Sequence, residues 1–147
     1  MKKSLIFVAI ILIILLLFIL SIPLVNNLCA IKVKNELENL PLPDNTEFIE
    51  SVWQAGKLNG NGNGMQYLGL LLLKSELSYD EINEFYKSYR KNAWQYKIKA
   101  QETQKADIIE HGELVFSHKL DSSQKYYIVY SWGEGIKPFC WLDLRGN

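Results

Sequence analysis

From Ser4 to Val25 the chain carries no charged residue, and every side chain between Leu5 and Leu20 is apolar. A helix rises about 1.5 Å per residue, so about 20 such residues cross the roughly 30 Å hydrocarbon core of a bilayer. Inside lipid each backbone amide must be bonded within its own segment, which makes a helix the simple solution. Pro23 stands at the far end of the run, where one missing helical bond costs least. A cleaved secretory signal has a shorter apolar core, about 7–15 residues, and a small-residue cleavage site. Leu28-Cys29-Ala30 is a poor cleavage site, and Asn26-Asn27-Leu28 lacks the small residue that precedes a lipidated cysteine. The expectation is an uncleaved signal-anchor helix within residues 1–25, with residues 4–25 in contact with the lipid bilayer. Lys2, Lys3 and the terminal amine flank one end, Lys32 and Lys34 the other. By the positive-inside rule, a margin of one charge places the following domain outside the cytoplasm, on a single-pass cell-membrane protein.

The remainder is polar and charged throughout. Residues 31–147 hold 14 Lys and Arg against 16 Asp and Glu, 14 − 16 = −2, with no clustered basic face. Nucleic acid is therefore not an expected partner. Two cysteines, Cys29 and Cys140, leave the domain without an internal disulfide, and pairing between these two cannot be read from spacing. Residues 26–43 read as a juxtamembrane stalk, with Leu28, Ile31, Leu37 and Leu40 at roughly helical spacing and Leu40-Pro41-Leu42-Pro43 ending it. Residues 44–147 then form the soluble domain, and a chain starting near Asp44 is expected to fold alone.

Within that domain, residues 46–58 read as a strand with Ile49, Trp53 and Ala55 on one face and Phe48 and Val52 on the other. The loop Gly60-Asn61-Gly62-Asn63-Gly64 follows, then an apolar strand from Met65 to Lys74. Ser78 and Glu81 form a capping box for a helix over 79–92, whose apolar stripe is Ile82, Phe85, Tyr86, Tyr89 and Ala93. The period then switches to two, with Trp94, Tyr96, Ile98 and Ala100 on one face. Further strands are expected at Leu114–Leu120, Tyr126–Trp132 and Phe139–Leu144. The order strand, strand, helix, four strands argues for an α+β fold in which one helix packs on a mostly antiparallel sheet.

Few residues invite chemistry. The loop 60–64 has neither the Lys-Ser/Thr of a phosphate loop nor the carboxylates of a calcium loop. It reads as a hairpin turn first and as a candidate contact loop second. His111 and His118 stand seven apart without further ligand spacing, so no metal and no cofactor is expected. Cys140, His118 and Asp143 could serve as nucleophile, base and orienting acid only if they converge, and no cysteine-hydrolase signature surrounds them. Tyr130, Trp132 and Trp141 make a candidate aromatic platform if their strands leave them exposed, and core if they do not.

From about Leu40 onward the chain resembles a group of small membrane-anchored or lipid-anchored bacterial envelope proteins of Gram-positive type that have no assigned function. The likeness rests on Leu40-Pro41-Leu42-Pro43, Gly60 to Met65, Lys74-Ser75, Tyr130-Ser131-Trp132-Gly133 and Leu142-Asp143-Leu144-Arg145-Gly146. It implies an envelope location and transfers no catalytic or binding residue. The absence of a lipidation site departs from the lipid-anchored members. Three functions follow as expectations: a non-enzymatic extracytoplasmic module that contacts an envelope protein or component; a small-ligand or glycan binder using the aromatic strands; and, last, an enzyme.

Overall fold

The computed structural model describes residues 2–147. It is an α+β fold built on a long N-terminal helix and an antiparallel sheet. Helix α1 (Lys2–Glu38) is followed by β1 (Thr46–Gly56), β2 (Gln66–Ser75), α2 (Tyr79–Lys87), β3 (Lys97–Gln101), β4 (Tyr126–Gly133), α3 (Phe139–Leu142) and a 3-10 turn at Leu144–Gly146. Among the described residues the sheet has four strands in the order β1-β2-β4-β3, every neighbouring pair antiparallel.

The two halves of α1 have different surroundings. Leu5 to Leu20 are exposed, and only 6% of the helix's most apolar 18-residue stretch is buried. Beyond it Asn26, Cys29, Ala30, Val33 and Leu37 are all buried. Their spacing of three and four puts them on one helical face, and that face lies against the sheet beside β2. Residues 26–38 are thus part of the domain's core rather than a stalk. Leu28, which an apolar-repeat reading places on the packed stripe, is 53% exposed on another side of the helix.

The close packing of α1 depends on two glycines. A Cβ on Gly69 of β2 would lie 2.6 Å from the backbone nitrogen of Lys34 and 2.9 Å from the carbonyl carbon of Val33, and a Cβ on Gly133 of β4 would run into the Val33 side chain. Leu71, Leu73, Tyr127 and Val129 complete this face with Ile82 and Tyr86 of α2. Leu68, Leu70, Leu72 and Ile128 point to the other face, which is covered by Ala106, Leu114 and Phe116 from the connection between β3 and β4.

Five local expectations are corrected. The register slips between Phe48 and Glu50, so Ile49 and Val52 pack on the same cluster rather than on opposite faces. Helix α2 stops at Lys87, where Ser88 turns its hydroxyl back onto the Phe85 carbonyl. Strand β3 starts at Lys97 because Tyr96 has φ 48° and its carbonyl is gripped by Arg90 at 2.9 and 3.1 Å; Trp94 is left 64% exposed. Residues 114–120 bury Leu114 and Phe116 but form only a bridge between Lys105 and Val115. The segment expected to close the sheet, Phe139–Leu144, is instead α3 and the start of the 3-10 turn. Strand β4 is already flanked by β2 and β3, so this segment packs against α1 instead.

Candidate functional site

The register gives the domain two distinct ends. Tyr67, Gly56 and Gly133 lie at the end nearest the exposed apolar half of α1, and Ser75, Thr46 and Tyr126 at the opposite, far end.

The near end is tied together by a buried polar network. Asn26, fully buried on α1, donates from Nδ2 to the Phe139 carbonyl at 3.0 Å and to Oδ2 of Asp143 at 2.9 Å, and its Oδ1 accepts from the Tyr67 hydroxyl. Arg145 grips Asp143 through both carboxylate oxygens, at 3.0 and 2.7 Å, and reaches Asn27 Oδ1 at 2.8 Å and the Pro23 carbonyl at 3.2 Å. The guanidinium holds the Asp143 carboxyl below its ordinary range, against the opposing effect of burial. Burial pushes the Tyr67 phenol upward. Such a network is worth its desolvation cost only when each member is satisfied. Here it locks the last nine residues onto α1 where the apolar run ends.

At the far end two clefts adjoin. One, of about 450 Å³, is lined by Gln101, Glu102, Asp121, Ser122, Lys125 and Tyr127. The other, of about 350 Å³, is lined by Thr46, Glu47, Lys74, Ser75 and Glu76; Gln124 borders both. Side-chain amides, hydroxyls, carboxylates and ammonium groups face outward there, which makes a hydrogen-bonding surface. Hydrogen bonds from the backbone and side chain of Ser123 hold the Asp121 carboxyl low, so it is a carboxylate at neutral pH.

The residues singled out from sequence scatter. The loop Gly60–Gly64 lies at the near end, with Gly64 donating to the Gly146 carbonyl and His111 Nε2 at 2.9 Å from the Gly60 carbonyl. Asn61, Gly62 and Asn63 are exposed between these ties, and Gly60 and Gly64 have φ 77° and 146°, angles that suit glycine. Tyr130 and Trp132 share one face of β4 and pack on the cluster beneath the β3–β4 connection. Trp141 stands on α3, 67% exposed, so the three do not form one platform. Trp132 shares a cleft of about 320 Å³ with Trp94, Met65 and Tyr67 instead. The His118 ring lies tilted beside that of Tyr126 at the far end, while Cys140 and Asp143 are at the near end, so this set does not converge. Among the described residues no group of three His, Cys, Asp or Glu side chains is placed to hold a metal.

The sequence reading missed Asn26 and the far-end clefts. Asn26 lay concealed as one polar residue at the edge of an apolar run, and the clefts are built from exposed residues of unrelated segments, without a motif. Comparison with protein-family models, with characterised proteins and with solved structures finds no match for this chain.

Proposed function

We propose that the chain is a single-pass membrane protein of the cell envelope. Residues 4–25 cross the bilayer, and the domain is a non-enzymatic, extracytoplasmic module that contacts an envelope protein or envelope component through its far end. The observation that carries this reading is the continuity of α1: one helix of 37 residues has an exposed apolar half and a half that is built into the domain core. A module mounted on such a helix has no free tether. Its far-end clefts are held at a set distance from the apolar half of α1, which suits contact with a neighbour rather than capture of a diffusing substrate.

The test uses Ser122→Cys, an exposed position in the larger cleft, and a membrane-impermeant maleimide that carries a photo-crosslinker. The domain should be labelled in intact cells and should yield one discrete adduct on irradiation, absent from the unsubstituted chain. Labelling only after lysis refutes the outward orientation. Labelling without a discrete adduct refutes the far-end contact.

A second reading, a small-ligand or glycan module, is favoured by the pairing of Trp94 and Trp132 around one cleft. Exposed aromatic faces stack on apolar sugar faces. It predicts that envelope oligosaccharides change tryptophan emission in the parent chain and not in Trp94→Ala. An unchanged emission in the parent refutes it.

A further inference from the structure

The segment from Ile136 to Leu144 carries an apolar surface left uncovered by the described residues. Ile136 is 54% exposed, Trp141 67%, Leu142 45% and Leu144 83%. Four such residues within nine positions are more than the scattered exposure of an ordinary surface. Their location is fixed by α1. The Phe139 ring lies 5.8 Å from that of Phe18, and the Asn26 amide and the Pro23 carbonyl hold Phe139, Asp143 and Arg145 to the same stretch of helix. Phe18 is seven residues, about 10 Å of helix, inside the Val25 end of the uncharged run, and Pro23 and Asn26 bracket that end. The patch therefore sits at the level where that run ends.

We propose that residues 136–144 are a second membrane contact, a short element lying in the lipid interface beside α1. Its chemistry matches that environment. Trp141 is a residue type that concentrates at the headgroup level. Lys137 rests its ammonium 5.1 Å from the Trp141 ring, an arrangement that leaves an apolar body for lipid and a cation for anionic headgroups. The acidic member of the segment, Asp143, is turned inward and neutralised by Arg145, so it presents no free carboxylate to the patch. The network around Asn26 thereby has a use: it holds the interfacial segment at the depth at which its apolar side chains meet acyl chains. Two contacts, α1 and this segment, would stop the domain from turning about the helix axis and would fix which way the far-end clefts face.

The inference rests on the reading of α1 as a membrane span, and the test separates the two. The full chain is reconstituted in vesicles of phosphatidylcholine and phosphatidylglycerol, with or without lipids brominated near the headgroup end of their acyl chains, and tryptophan emission is recorded. Bromolipid should quench the parent chain, and Trp141→Phe, an exposed and conservative change, should lose most of that quenching. A third chain, Leu12→Trp in the Trp141→Phe background, reports on the span itself. Equal quenching of the parent and Trp141→Phe, with Leu12→Trp strongly quenched by deeply brominated lipid, would overturn the interfacial contact and leave the span standing. Trp141 shielded from both bromolipid and aqueous iodide would mean that protein covers the patch, and would also overturn it. Failure of deeply brominated lipid to quench Leu12→Trp would overturn the span and the second contact together.

Discussion

The hydroxyl of Tyr67, in the first turn-side residues of β2, donates to Oδ1 of Asn26, 41 residues earlier on α1, and both side chains are buried. This bond joins the helix to the sheet at the level where the apolar run gives way to the domain. Tyr67→Phe removes the donor and leaves a buried amide oxygen unpaired, a loss of about 1–3 kcal/mol. Asn26→Ala should cost at least as much, because it also strips Asp143 and the Phe139 carbonyl of a donor. Denaturant midpoints of the two single variants and the double variant, in one detergent, would measure the coupling. The double variant should be less destabilised than the sum of the singles; strict additivity would show that the bond contributes nothing.

Gly69 is the point of closest approach between α1 and the sheet. A methyl group there meets helix backbone, which has no flexible end to move aside. Gly69→Ala should therefore destabilise the domain by about 1–3 kcal/mol, the usual cost of overpacking. The opposite outcome, a gain from reduced chain entropy, would require α1 to shift without loss of Val33 and Leu37 packing. Thermal unfolding of the variant distinguishes the two by sign.

How much of this was legible in the sequence can be argued from particular residues. The capping box of Ser78 and Glu81, the strands at Thr46–Gly56 and Tyr126–Gly133 and the apolar strand β2 are local patterns with local causes, and they stand where pattern reading puts them. The lower half of α1 was legible as a helix that includes Leu37, but its packed face was not, because that face begins with Asn26 and continues through Cys29 and Ala30, residues without a strong hydrophobic signature. Its burial comes from Gly69 and Gly133 far away in sequence. The closing strand was misread because β4, the strand it follows in sequence, is already flanked by β2 and β3, and the segment docks on α1 instead. The far-end clefts have no sequence signal at all, being a product of how loops meet.

The same burial reverses the expectation for truncation. A chain starting at Asp44 lacks Ala30, Val33 and Leu37, and Leu37 alone is a fully buried side chain worth about 2 kcal/mol. It also exposes Leu71, Leu73 and Tyr67. That fragment should show little cooperative unfolding by circular dichroism, whereas a fragment starting at Pro23, which keeps the packed face and its network, should unfold in one transition. A cooperative melt of residues 44–147 would show that the helix is dispensable.

Tyr86 offers a change in the stabilising direction. Its ring is fully buried under α2, but its hydroxyl has no hydrogen-bond partner among the described residues, and burial pushes its phenol up to about 12. Tyr86→Phe removes an unpaired polar atom and keeps the ring against Phe85, so it should stabilise by about 1 kcal/mol. Tyr127→Phe is the matched contrast. The Tyr127 hydroxyl donates to the Leu77 carbonyl at 2.9 Å, so its loss should cost stability. If both variants shift the midpoint the same way, the hydroxyl accounting is wrong.

Asp143 gives the domain a pH dependence of definite sign. Its carboxyl is held below the ordinary aspartate value chiefly by the Arg145 hydrogen bonds, with a contribution from Asn26. A depressed carboxyl stabilises the fold above its unfolded pKa, about 3.9, and that stability is lost as pH falls through the lower folded value. Glu38, Glu81 and Asp121 are depressed as well, so the parent chain's acid limb is shared. The difference between parent and Asp143→Asn isolates one residue. At neutral pH the variant should be less stable by about 2 kcal/mol, because Arg145 loses a charged acceptor. Below about pH 4 the two curves should begin to converge, and they should meet only once pH has fallen through the lower folded value, where the native carboxyl is neutralised too. Denaturant midpoints from pH 2.5 to 7, a range chosen to bracket about 3.9, would show this directly. Parallel curves over the whole range would mean that Asp143 does not carry the charge that locks the C-terminal segment to α1.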